Sequence, residues 1–280
     1  MSRPVTIITD SASDLPQDLA DELGIRIIPL TVHFGAETYR DNIDITKREF
    51  YRRLQEGAVH PTTSQATPAE FTALYQEIID AGHDVLTVVL GHKISGTVEA
   101  ARTAAQQWGP ECVRVVDSGQ VSMACGWLAV VAARAAREGA SLTDVETLVR
   151  DRVPRARLYA AFDTLEYMHR GGRIGRGSVL MGSLLKIKPM ITLEDGEVAP
   201  VAKPRTWSKA LRQIVELTGE LAPLEELAVM HADAPDRATQ LADMLTHLRP
   251  RQDILIAEIG PVLGTHTGPG TVVACFVRAR

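Results

Sequence analysis

Residues 67–97 read TPAEFTALYQEIIDAGHDVLTVVLGHKISGT, and their succession of capped helix, strand and second helix start decides the fold class. Thr67 supplies a capping hydroxyl, Pro68 presets the backbone at the first helical position, and Glu70 completes a capping box. A helix is expected from Pro68 to about Ala81, ended by Gly82. Val85 to Leu90 then has the length and β-branched content of a strand. Ser95 follows that strand and opens another helical pattern, Thr97 to Trp108. Its hydroxyl and the nearby backbone N–H groups would face the carboxyl edge of a sheet, where open α/β folds hold ligands.

Outward from this stretch, Val5 to Thr9, Arg26 to Val32 and Val113 to Val116 read as further strands, so the first half resembles a mainly parallel sheet flanked by helices. The alanine-rich run Ser122 to Arg137 is helical by propensity and apolar enough to be buried on most sides. Ser141-Leu142-Thr143-Asp144 starts another helix, and Leu158 to Phe162 carries the chain into a second domain. There the pattern changes. Pro189 to Leu193 and Glu197 to Ala202 flank Asp195-Gly196, a turn pair that supplies positive φ between two strands. Helices at Ser208 to Leu221 and Asp236 to Leu248 alternate with strands at Leu227 to His231, Ile254 to Ile259 and Thr271 to Val277. The expected architecture is α/β with two domains, residues 1–160 around a mainly parallel sheet and residues 161–280 as an α+β layer with a mixed sheet.

Composition narrows the class further. A chain of 280 residues can bury a full core, and 45% hydrophobic with 23% charged residues is the balance of an ordinary globular protein. The formal charge of −5 argues against a partner that needs a basic face, such as nucleic acid or an anionic membrane. Cys112, Cys125 and Cys275 form no CxxC pair and read as reduced core residues in a cytoplasmic protein. The N-terminus runs straight into a strand rather than a signal peptide's apolar core, and no run approaches the ~20 apolar residues of a membrane span.

Several segments carry possible chemistry. Gly264-Thr265-His266-Thr267-Gly268-Pro269-Gly270 is too rich in glycine for a regular strand and suits a backbone brought close to a ligand. An imidazole there can donate to a carboxylate or relay a proton. Arg170-Gly171-Gly172-Arg173-Ile174-Gly175-Arg176 is a basic, glycine-rich turn fitted to anion contact, without the Gly-Lys-Ser/Thr ending of a P-loop. The remaining histidines lack ligand spacing, so no metal is assigned. Asp10 follows a buried strand as a phosphatase nucleophile would, but Ala12 stands where the second aspartate is needed. No Gly-x-Ser-x-Gly elbow supports a serine hydrolase, since Leu184-Leu185 follows Gly182-Ser183.

Five hydroxyl- and glycine-rich segments occur in order: Ile8-Thr9-Asp10-Ser11 with Ser13, Pro61-Thr62-Thr63-Ser64-Gln65, Ser95-Gly96-Thr97, Gly171-Gly172-Arg173-Ile174-Gly175 and His266-Thr267-Gly268-Pro269-Gly270. Together they resemble the bacterial DegV family of fatty-acid-binding proteins nearly end to end. The resemblance implies a lipid carrier of the EDD fold, with its ligand at the domain interface and with no cofactor beyond a bound long-chain fatty acid. The first domain would carry the carboxylate-binding hydroxyls and the second would complete the lipid pocket.

The resemblance also implies roles for individual residues. Thr63 and Ser95 would hold the carboxylate, beside Thr62 and Gly96, with His266, Arg170 and Asp41 in the surrounding polar network. Donors are needed there because a charge left unpaired in a dry cavity is costly. For the acyl tail, Met123, Trp127, Phe162 and Leu184, with Leu128, Met168, Leu180 and Met181, are candidates on their own composition, since they fall in two largely apolar stretches. Each buried methylene contributes roughly 0.8 kcal/mol, enough for a tail of ~16 carbons to drive tight binding. Arg173 and Arg205 would face a separate ATP-dependent fatty acid kinase, which phosphorylates the acid while the carrier keeps the acyl phosphate for phospholipid synthesis. The chain itself would be no enzyme. The alternative is the substrate-binding subunit of a small-molecule, dihydroxyacetone-like phosphotransferase; a third is an interaction protein that only senses lipid.

Overall fold

In the computed structural model, which describes residues 3–57, 59–183 and 187–280, the chain is α/β. The N-terminal part comprises β1 (Val5–Asp10), α1 (Gln17–Leu23), β2 (Arg26–Ile28), β3 (Thr31–Phe34), β4 (Glu37–Arg40), α2 (Lys47–Glu56) and β5 (Thr62–Ser64). It continues through α3 (Pro68–Asp80), β6 (Asp84–Val89), α4 (Thr97–Ala105), β7 (Val113–Asp117), α5 (Met123–Arg137) and α6 (Leu142–Arg152). The rest comprises β8 (Ala156–Ala161), α7 (Glu166–Arg170), β9 (Met190–Glu194), β10 (Glu197–Ala202), α8 (Trp207–Gly219) and β11 (Leu224–His231). The chain closes with α9 (Pro235–Met244), β12 (Leu255–Glu258), α10 (Pro261–Thr267) and β13 (Val272–Arg278).

The chain divides into two compact units, Met1–Leu30 with Ser64–Ala156, and Thr31–Thr63 with Arg157–Arg280. The chain crosses between the units three times, after Leu30, Thr63 and Ala156, so the segment Thr31–Thr63 belongs with the C-terminal residues. Pro29 marks the first crossing. The run expected as one strand over Arg26–Val32 is two, β2 and β3, because a proline cannot donate to a ladder and interrupts the pairing.

The first unit is built on a parallel sheet in the order β2-β1-β6-β7. All six residues of β6 are buried, as a central parallel strand covered on both faces requires. Helix α3 packs on α4, and α5 packs on α1 and α6. The capping box at Thr67 is present in full, with Glu70 N–H on Thr67 Oγ1 at 3.2 Å and Thr67 N–H on Glu70 Oε2 at 2.7 Å. On α5, the eleven residues Met123–Ala133 are all buried.

In the second unit, β10-β9-β8-β13-β11-β12 form a mixed sheet and β4-β3-β5 a smaller one. The β9–β10 hairpin turns at Asp195 and Gly196, both at positive φ (50° and 78°). A core that includes Leu211, Ile214, Leu227, Val229, Leu241 and Phe276 joins α8 and α9 to this sheet. Strands β11 and β12 are parallel, and from the end of β12 the chain passes directly into α10. Among the described residues none of the three cysteines forms a disulfide. No helix among the described residues is long and apolar enough to cross a membrane.

Candidate functional site

The segment around His266, too rich in glycine for a regular strand, is helix α10 with a tight exit. Its glycines are points of close approach. A Cβ on Gly264 would stand 2.7 Å from Phe50 Cε1 and 2.8 Å from Tyr51 Oη, so only glycine lets α10 settle on α2. Tyr51 in turn donates its hydroxyl to Ile259 O at 3.0 Å, just ahead of the helix. Gly268 ends α10 at φ 69°, its N–H on Gly264 O at 2.9 Å, and a Cβ there would come within 2.2 Å of the Tyr167 ring.

This packing aims His266 at Thr63, with Nε2 and the threonine Oγ1 2.9 Å apart. The other ring nitrogen, Nδ1, is buried without a partner among the described residues, against Gly171, where a Cβ would meet it at 2.2 Å. Burial, with lesser contributions from the charges of Arg173 and His60, pushes His266 down to about 4, so the ring is neutral at pH 7. A neutral imidazole has one N–H. On Nε2 it donates to Thr63 and leaves the threonine O–H free for another acceptor. On Nδ1 it would reverse the contact, with Thr63 donating to Nε2, and Nδ1 has no partner among the described residues in either tautomer. With the proton on Nε2, the pair presents a hydroxyl donor backed by a neutral histidine.

His60 and Tyr167 border this pair, their rings 6.0 Å apart. His60 Nε2 is buried and unpartnered among the described residues, and burial followed by the charge of Arg170 lowers the pKa of its ring. Arg170 itself is exposed, ion-paired with Glu166, and lines a cleft of about 210 Å³ with Leu54, Val59, His60 and Tyr167. Arg173 is exposed and donates to Gly171 O at 2.7 Å. Arg205 is exposed just ahead of Thr206, the N-cap of α8. Thr62 is exposed on β5, and Asp41 is buried in a parallel bridge to Ile45.

Ser95 and Gly96 belong to the first unit. Ser95 Oγ lies 2.8 Å from Thr97 Oγ1 and accepts from Thr97 N–H at 3.3 Å, at the start of α4. A Cβ on Gly96 would be 2.4 Å from Gln65 Oε1, so the glycine admits the Gln65 amide to this turn. Asp10 anchors the same edge. Its carboxylate accepts from Leu90 N–H at 2.8 Å and Ala12 N–H at 2.9 Å, a bracing role with both oxygens engaged. Complete burial, opposed by those two hydrogen bonds and reinforced by the charge of Asp14, raises its pKa to about 7. Close by, His92 Nδ1 pairs with Asp117, which also accepts from Gly119 N–H at 2.9 Å.

Of the residues expected along the acyl tail, Met123 and Trp127 are buried on α5 and Phe162 is buried just after β8, while Leu184 lies outside the described residues. The indole N–H of Trp127 is buried without a partner among the described residues. Sequence reasoning missed His60 and Tyr167. The only local signal was the nearness of His60 to Thr62-Thr63, since Tyr167 reaches the site through packing on Gly268. Among the described residues no group of three or more His, Cys, Asp or Glu side chains could hold a metal ion.

A two-unit α/β chain with a neutral histidine braced against a threonine hydroxyl has close relatives. The family model described as "Uncharacterised protein, DegV family" matches residues 4–279, and the chain belongs to that family. A DegV domain-containing protein of Streptomyces coelicolor is 39% identical over 96% of this chain and 97% of its own. Among solved structures, a fatty-acid-binding DegV family protein from Thermus thermophilus superposes with a TM-score of 0.92 at 34% identity, covering 100% of both chains. DegV of Bacillus subtilis, described as a fatty acid binding protein, gives 0.88 at 31% identity over 99% of this chain and 100% of that one.

Proposed function

We propose that this protein binds a long-chain fatty acid and holds its carboxylate at Thr63 and His266. The observation that carries this reading is the 2.9 Å Thr63–His266 contact, which with the ring proton on Nε2 leaves the threonine hydroxyl proton to an anion while the histidine stays neutral. Fatty acid binding by the Thermus and Bacillus relatives supports the ligand class. Ser95 and Gly96 supply carboxylate-binding donors of the first unit, and Met123, Trp127 and Phe162 serve the acyl tail. Arg170, Thr62 and Asp41 shape the polar surroundings.

The bound acid is presented to a separate ATP-dependent kinase, and the chain retains the acyl phosphate for phospholipid synthesis in the cytoplasm. Arg173 and Arg205, both exposed, meet that kinase. This chain is the carrier, and catalysis belongs to the partner.

Thr63→Ala and Ser95→Ala test the reading by titration with a C16 fatty acid. Each should weaken binding by about 1–3 kcal/mol, the loss of one donor to a buried anion, with the circular dichroism of the fold unchanged. Unaltered affinity in both variants would place the carboxylate elsewhere.

A further inference from the structure

We infer that Asp163 is a positioning residue for the His266–Thr63 pair, an inference that rests on the fatty-acid reading of that pair. Asp163 stands just beyond β8 and gathers three donors from distant parts of the second unit. Lys188 Nζ and Trp207 Nε1 (3.0 Å) bond to Oδ1, and Arg237 Nη1 bonds to Oδ2 at 3.1 Å. The Arg237 guanidinium also lies 4.1 Å from the centre of the Trp207 ring, so its fork is fixed from a second side.

From this hub the constraint runs to the histidine along two paths. In the first, Arg237 Nη1 also donates to Gly270 O at 3.0 Å, while Gly270 N–H bonds to Ala232 O at 2.7 Å. Gly270 has φ 84°, and a Cβ on it would stand 2.1 Å from Asp163 Oδ2. Its backbone is therefore pressed against the carboxylate, a conformation and an approach that both require glycine. The next residue, Thr271, shares its hydroxyl proton between Thr267 O (2.9 Å) and Gly268 O (3.1 Å), clamping the end of α10 one residue beyond His266.

In the second path, Asp163 opens the segment that leads into α7. Thr164 Oγ1 accepts from Glu166 N–H at 3.1 Å, and the residue after α7 is Gly171, against which His266 Nδ1 packs. The Asp163 carboxylate thus reaches the end of the helix that carries His266 through Arg237 and Gly270, and the chain that follows Asp163 leads to Gly171, against which the imidazole packs. Such supporting contacts are what hold a binding group within a fraction of an ångström of its working place.

The test compares wild type with Asp163→Ala and Arg237→Gln, using two readouts. The first is an NMR titration of the His266 imidazole without ligand, assigned with His266→Gln. Its midpoint, about 4 in the intact site, should rise toward the ordinary 6.5 as the walls loosen and water enters. The second is the Kd for hexadecanoate, which should weaken by about tenfold, with Arg237→Lys recovering part of the loss. A folded Asp163→Ala with an unshifted midpoint and unchanged Kd would overturn the inference, even if its melting temperature fell. If Asp163→Ala does not fold, Arg237→Gln decides by the same two readouts. Failure of wild type to bind hexadecanoate would strike the fatty-acid reading instead, and the ligand-free titration would still decide the positioning role.

Discussion

His266 and Asp10 have pKa values displaced in opposite directions by the same cause, burial, and this makes their contributions to stability separable. For His266 the folded value lies below the unfolded one, so the unfolded chain takes up the proton first as pH falls. Its contribution is complete above the unfolded value of 6.5 and is lost down to about 4. The loss amounts to roughly 3 kcal/mol. Asp10 behaves oppositely: its folded value near 7 exceeds 3.8, so its contribution is complete below 3.8 and lost as pH rises through 7. Urea unfolding at stepped pH checks both. The stability of His266→Gln relative to wild type should improve as pH drops from 6.5 to 4, and that of Asp10→Asn should improve as pH rises from 4 to 7. Parallel curves for wild type and either variant would contradict the corresponding assignment. At this scale the sequence displays the chemistry of Thr63 and His266 but not the lowered pKa of the histidine, which comes from burial of its ring against Gly171.

At the scale of the element, α10 is the part of the site that local pattern misrepresents. Glycine at 264, 268 and 270 lowers helix propensity and reads as a loop, yet Gly264 serves a helix crossing, Gly268 a helix end and Gly270 the approach to Asp163. Propensity is overridden by packing against Phe50 and Tyr51, residues more than two hundred positions away. Gly264→Ala discriminates between these descriptions. If α10 were an independent helix, the alanine would stabilise it by up to ~1 kcal/mol. Against the buried rings of Phe50 and Tyr51 it should instead destabilise the protein, by a net ~1–2 kcal/mol after overpacking is set against the propensity gain. A lower denaturation midpoint at unchanged m-value is the expected outcome, and a raised midpoint would show that α10 does not pack as described. Elsewhere the elements are legible: the capping box at Thr67, the Asp195-Gly196 hairpin and the buried helix α5 all follow from local signals.

For the whole molecule, periodicity announces a parallel sheet followed by a mixed one, and both are present. The allocation of Thr31–Thr63 to the C-terminal unit is not written in any periodicity, since a strand's pattern states which face is buried and not which sheet it joins. Pro29 was the one local mark of that excursion. Its consequence for function is direct, because it brings Thr63 into the same unit as His266 although they are 203 residues apart in sequence. The measurement that bears most directly on the central claim is denaturing solvent extraction followed by mass spectrometry, applied to wild type and to the Thr63→Ala/His266→Ala double variant. Near-stoichiometric fatty acid from wild type and a large loss from the double variant are expected. An empty wild type that also fails to take up added hexadecanoate would contradict the account, as would a double variant that retains its full complement of lipid.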